Sequence, residues 1–592
     1  MSEVRRSAGR LTRLAGRREV PLAVALLSIV LALPALRVGL FGDDYVHRAI
    51  LLGRSETGQR IVPVRDLFSF VSEATRPWMI DVGYLPWWAD PNLRIALGRP
   101  LTALTHMADY ALWPDAFAVQ HLHSLLWCAA GVGLVALLYR KLFSATLVAA
   151  AAGVFFAVED AHALPAGWLA NRNALVCLVA GTGVILLHLA WRRHPTPWRL
   201  AAALAALAVG LGCGEATLGA LAYVAAWQLT CEQSPWPRRL APLIPYGVVV
   251  VVWRVAYQWL GFGTSGSTLY VDPGVQPLLF LEALLERWPV LLLGQWLEVP
   301  IDLWLMLPRT AQIATSAVGI AATAGLMAVV WGLLKRERLA RFWALGMGLS
   351  LVPLCAAFPM DRLLVFSGIG AFGLLAMLLE SMGVWPWLPG SGAAAFGRRF
   401  AWLLLILHGP LAAARLPLRV ALLPWFGKTF SVAAERGPDG PEVAGQTFVF
   451  VNGNDFPVVY GRIIRQIEGL GTPPRRVAQL SSVSTPNTVR REDSRTLVIH
   501  PVGGFLSFSL DRLLASPTRT FQVSERVERP DFVAEVRSVT SDSRPEEVAF
   551  RFRRPLEDPA LRWLYWKDGN LIEFPLPGVG ESVTLRESLL VQ

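Results

Sequence analysis

Long apolar runs broken by short polar connectors fill residues 20–427, and beyond them the pattern changes to short, alternating apolar segments. The runs fall near 20–40, 118–139, 144–158, 173–191, 200–213, 217–231, 240–259, 313–334, 340–357, 363–382 and 399–416. Many approach the ~20 residues that cross a hydrocarbon core, and together they predict roughly eleven transmembrane helices. From 428 to 592 the chain reads differently. Runs such as 447–451, 496–499, 533–536 and 548–552, separated by Pro, Gly, Asn and Asp turns, predict a soluble β-rich (α+β) domain. The expected fold class is therefore an α-helical polytopic membrane protein with a C-terminal soluble domain.

Charge placement orients this scheme. Basic connectors at Arg140-Lys141, Arg192-Arg193, Arg238-Arg239, Lys335-Arg336 and Arg398-Arg399 recur at every second turn, as cytosolic loops do. The segment 1–19, with Arg5, Arg6, Arg10, Arg13, Arg17 and Arg18, reads as a cytosolic basic N-terminus before a retained first helix. An odd number of spans then puts 428–592 outside. The connectors 41–117, 159–172, the link at Glu215, 260–312 and 358–362 share that outer side. Trp78, Trp87 and Trp88 suit the first of these to the headgroup interface, and 279–306 reads as an interfacial or re-entrant helix. A net charge of +11 could suggest nucleic acid, but the bases lie between apolar runs, so membrane orientation explains them and no nucleic-acid partner is expected. The five Cys, all in or beside apolar runs, indicate neither a disulfide framework nor a zinc site.

Candidate chemistry collects on the predicted outer side. Asp43 and Asp44 stand just past the first apolar run, where a pair of acids can take a proton from a hydroxyl or hold a divalent cation such as Mg or Mn. Capping the helix end is the plainer role. Arg172 and Arg362 open apolar runs and could clamp a phosphate, although arginines also anchor helices at the interface. His162, beside Glu159 and Asp160, could donate to a phosphate or simply be solvated. His121 starts a span, where an unpaired polar group is costly. His106 and His123 suit local hydrogen bonds. Glu215 could support an acceptor site or keep a tight turn in water, and Arg99 before Pro100 could serve a turn. No Walker loop, Rossmann fingerprint or nucleophile elbow appears in a convincing context.

In order along the chain, Asp43-Asp44, Arg99-Pro100-Leu101, His121 to Cys128, His162-Ala163-Leu164, Trp168-Leu169-Ala170-Asn171-Arg172, Cys213-Gly214-Glu215 and Arg362 to Gly370 resemble the motifs of the GT-C superfamily of membrane glycosyltransferases. The likeness is to a bacterial branch related to protein O-mannosyltransferases and tetratricopeptide-bearing mannosyltransferases. Ser124 and Cys128 stand where that pattern has Asn and His, and the Lys before Glu215 is lost. The resemblance implies transfer of a sugar from a polyprenyl-phosphate donor to a protein, lipid or glycan acceptor at the outer face of a bacterial inner membrane. It implies Asp43 as base with Asp44 in support, Arg172, Arg362 and His162 at the donor phosphate, and Glu215, His121, Arg99 and Trp168 as acceptor-site or supporting residues. A transporter or flippase of lipid-linked glycans and a noncatalytic assembly protein are the alternatives.

Overall fold

The computed structural model describes residues 12–55, 57, 61–144, 146–384, 395–453, 455–482, 484–568 and 570–586; Arg5, Arg6 and Arg10 lie outside them. Each predicted apolar run is mostly helical among the described residues. Among the described residues, seven helices are long and apolar enough to cross a membrane: Val20–Arg37, Phe117–Leu142, Leu169–Arg193, Trp236–Trp259, Arg309–Arg336, Arg338–Ala356 and Gly397–Arg436. An eighth candidate is the pair Thr146–Val158 and Asp160–Gly167, bent by 43°. Pro197–Cys213 and Val365–Ser381 are apolar but shorter. Their shared core includes Val132, Phe156, Leu178, Tyr223, Phe342 and Phe372. Val248, Val251, Val252 and Val255 face outward, as lipid-facing side chains do. The Pro277–Leu297 helix is instead lined by buried residues and carries Pro289 inside it.

Basic ends cluster at one end of the bundle. Arg140 donates to the Gly16 carbonyl at 2.9 Å, and Arg193 donates to the Lys141 carbonyl at 3.1 Å. At the other end the connectors build structure of their own. Ser69–Val71, Arg94–Ala96 and Gly263–Ser265 form an antiparallel sheet that ties the 41–117 connector to the 260–312 connector. The last long helix continues to Arg436, and the first strand beyond it begins at Thr447.

The C-terminal part holds two sheets. One is six-stranded and antiparallel, in the order 582–585, 487–491, 496–501, 545–552, 532–539, 526–528. The other is four-stranded, with 561–567, 447–450 and 476–479 parallel and 570–573 antiparallel at one edge. Trp87 and Trp88 correct the headgroup expectation. They are 1% and 2% exposed, inside the C-terminal core, with the Trp87 indole donating to the Leu480 carbonyl at 3.0 Å. Burial against Phe505, Phe521 and Phe550 removes the whole indole from water, which an interface would do only in part. Gly83 permits the approach. Its φ is +85°, and a Cβ there would lie 1.6 Å from the Val477 carbonyl oxygen, so only glycine fits.

Candidate functional site

Gly42, with φ +55° and ψ −127°, takes a backbone conformation open to glycine and turns the chain into the Asp43–Leu51 helix. Both acids therefore stand in its first turn, where free N–H groups favour negative charge. Their surroundings separate them. Asp44 is buried and accepts hydrogen bonds from the backbone N–H of Ala170 at 2.7 Å and of Phe41 at 3.2 Å. It braces the turn that follows Trp168. Burial pushes its carboxyl up to about 8, against the pull of those two N–H groups. Asp43 instead lines a cavity of about 1400 Å³. Its Oδ1 accepts from the Tyr460 hydroxyl at 2.5 Å. Burial raises its carboxyl above the ordinary range, while Tyr460, Arg362 and Arg99 favour the charged form.

Arg362 reaches the same cavity from the start of the Val365–Ser381 helix. Its guanidinium lies 5.3 Å from the centre of the Trp168 ring and 5.9 Å from that of Phe358. It makes no ion pair among the described residues, and its Nε is buried without a hydrogen bond. Two rings hold it as a cation, and its donors are free for an anion. Trp168 is itself fixed by stacking on Phe41 at 5.3 Å and by donating to the Phe41 carbonyl at 3.2 Å. Arg99 and Glu215 also line the cavity, but they are paired with each other at 3.0 Å, with the Tyr257 hydroxyl on Glu215 at 2.7 Å.

Three sequence candidates go elsewhere. Arg172 is 0% exposed, paired with Asp109 at 2.5 Å and donating to Ser124 and the Gln120 carbonyl, each at 2.9 Å. It ties the N-terminal end of its helix to the Pro100–Leu112 and Phe117–Leu142 helices, and its guanidinium is spent. His162 is buried edge-on to Phe156 at 4.8 Å, away from the cavity wall. His121 faces the Gly39 carbonyl at 2.8 Å through Nε2. The Asp43–Asp44 pair does not fit a divalent cation. Tyr460 holds one Asp43 oxygen, backbone N–H groups hold both Asp44 oxygens, and no third acid, His or Cys joins them among the described residues.

No family model and no curated protein matches the sequence. An oligosaccharyltransferase from Archaeoglobus fulgidus, tethered to an acceptor peptide, is similar at 12% identity and a TM-score of 0.40, covering 78% of this chain and 63% of its own. The oligosaccharyltransferase AglB from Archaeoglobus fulgidus, in complex with an inhibitory peptide and a dolichol-phosphate, is similar at 12% identity and a TM-score of 0.40, covering 78% of this chain and 64% of its own. ArnT from Cupriavidus metallidurans bound to undecaprenyl phosphate gives 15% and 0.37, covering 89% of this chain and 97% of its own. The chain spans just under two thirds of the length of the archaeal enzyme.

Sequence reasoning missed part of the cavity wall. Arg415 and Arg419 line it from the last long helix. Arg419 reaches Asp160 at 2.9 Å, Asp302 at 2.5 Å and Asp361 at 2.7 Å. Their spacing of four on a mostly apolar helix was a usable signal for one charged face. Tyr460 offered none, because it reaches Asp43 only through docking of the C-terminal domain.

Proposed function

We propose that the chain is a membrane glycosyltransferase that moves a sugar from a polyprenyl-phosphate donor to an acceptor hydroxyl at the extracytoplasmic face. The observation that carries this reading is one cavity wall holding a buried carboxylate, Asp43, with its pKa raised, and a guanidinium, Arg362, with no ion pair among the described residues, set among aromatic and aliphatic side chains. Asp43 takes the acceptor proton, and the acceptor oxygen attacks the anomeric carbon. The bond from that carbon to the phosphate oxygen breaks, and its electron pair leaves with polyprenyl phosphate. Arg362 meets the negative charge that develops there. Trp168, Phe426 and Phe430 offer apolar surface to the prenyl chain. Arg99 and Glu215 fix the acceptor side as a pair, Asp44 holds the Trp168 turn, and Arg172 stiffens the bundle beneath.

The experiment is transfer from a panel of radiolabelled polyprenyl-phosphate sugars by the purified full chain. Label reaching an acceptor from one donor supports the reading, and no transfer from any donor counts against it.

The pH profile follows from burial. A base whose pKa is raised stays protonated to higher pH, so turnover is expected to rise with pH through a limb above the ordinary carboxylate range. Tyr460 donates to the charged form, so Tyr460→Phe should move that limb further alkaline. Rate profiles of the two proteins check this, and an acid shift contradicts it.

The proposed orientation has a cytosolic N-terminus and the 428–592 domain outside a bacterial inner membrane. The clustering of the Arg140 and Arg193 ends with the Gly16 segment, opposite the Asp43 cavity, supports it. Reporter fusions after Lys141 and after Pro438 should lie on opposite sides. Finding them on one side would remove the outward-facing site.

A further inference from the structure

Behind the cavity wall, three breaks in regular backbone bring three ligand-type side chains together. Glu159 stands at the 43° bend between two helices. Glu298 ends the Pro277–Leu297 helix in the left-handed region, with φ +52°. His408 lies in a π-helical turn, residues 407–411, that contains Pro410. A carboxylate oxygen from each Glu and one imidazole nitrogen lie within 4.8 Å of one another.

These atoms face one another. Glu159 Oε2, Glu298 Oε1 and His408 Nδ1 are buried and make no hydrogen bond of good geometry, although Nδ1 is 2.7 Å from Glu298 Oε1 and 3.9 Å from Glu159 Oε2. The two distances bracket the ~3.3 Å that separates ligands in a tetrahedron of ordinary zinc bonds. The other ring nitrogen, Nε2, faces the Trp296 carbonyl at 3.2 Å. A proton on Nε2 donated to that carbonyl leaves the Nδ1 lone pair pointing at the two carboxylates, which is how metal-binding histidines are held.

Charge balance points the same way. Asp160 shares Arg415 with Glu298 and shares Arg419 with Asp302 and Asp361. With Glu159, five carboxyls among the described residues share two guanidiniums and the His408 imidazole, which lies 2.7 Å from Glu298 Oε1. A protonated imidazole offsets one negative charge, whereas a divalent ion offsets two where desolvation makes them costly.

We propose that Glu159, Glu298 and His408 form a binding site for a divalent transition ion of the zinc class. Two carboxylates and one imidazole suit such an ion. It would clamp the His408 turn to the Glu159 bend and the Glu298 helix end, and so set the position of Arg415 and Arg419 seven and eleven residues further along. The site is separate from Asp43 and does not depend on the transferase reading.

The test is zinc binding by the full chain in detergent, stripped with chelator and titrated with zinc alone, read by metal content and thermal melting. About one zinc per chain and a higher melting temperature with zinc are expected. Replacing zinc by cobalt should give the visible bands of a low-coordinate site. His408→Gln and Glu298→Gln should weaken binding by more than about 100-fold, while Asp43→Asn retains it. Wild type that takes up no stoichiometric zinc and does not shift in melting overturns the site, even if the variants fail to fold. Equal binding by wild type and a folded His408→Gln also overturns it, as does loss on Asp43→Asn alone.

Discussion

Replacing Asp43 by Asn is expected to lower the turnover of sugar transfer by about 10²–10⁴ while leaving the chain folded. The asparagine keeps an oxygen to accept from Tyr460, whose hydroxyl meets Asp43 Oδ1 in the wild type, so the contact between the C-terminal domain and the first outer helix survives. What it loses is the lone pair that receives the acceptor proton. Because that proton moves only as the acceptor attacks, the loss should fall on turnover, and donor affinity should change little. Steady-state kinetics beside a thermal melt separate the two. Near-wild-type turnover in Asp43→Asn would remove it from the chemistry.

The second large effect concerns Arg362. Its guanidinium has aromatic neighbours and no carboxylate partner among the described residues. Arg362→Ala should therefore cost about 10²–10³ in turnover, the usual loss when a preorganised donor to developing charge is removed. Arg362→Lys should fall between, since it keeps the charge and loses the planar fork. Arg172→Lys is the contrast. That side chain is committed to Asp109, Ser124 and the Gln120 carbonyl, so its replacement should lower the melting temperature more than it alters kinetics in the protein that remains folded. Kinetic constants that fall for Arg172→Lys and stay unchanged for both Arg362 variants would reverse the assignment.

How far the sequence could be read depended on whether a residue's role was settled locally. Apolar runs of helix length declared the bundle, and β-rich segments at 496–499, 533–536 and 548–552 fall within observed strands, while 447–451 overruns the Thr447–Phe450 strand by one residue. Asp43 and Arg362 both stand where an apolar run meets a polar connector, a local signature, and the fold turns both to one cavity. Arg172 has the same local signature, yet a partner on the Pro100–Leu112 helix, Asp109, draws it into the interior. No pattern around residue 172 announces that pairing. Trp87 and Trp88 looked interfacial because an indole suits both a headgroup region and a protein core, and only the docked C-terminal sheets decide between them. Likewise, cysteine positions say nothing about a site made from two carboxylates and an imidazole. Glu159, Glu298 and His408 meet only because a bend, a left-handed residue and a π turn coincide.

A transferase consumes its donor, whereas a flippase of the same lipid-linked sugar returns it intact, so the fate of the carrier tests the central claim most directly. Full-chain protein reconstituted with donor labelled separately in sugar and prenyl chain, and supplied with acceptor, should release one polyprenyl phosphate for each sugar transferred. Asp43→Asn should release almost none over the same interval. Donor that crosses the bilayer with sugar and carrier still joined, while no polyprenyl phosphate forms, would contradict the transferase account.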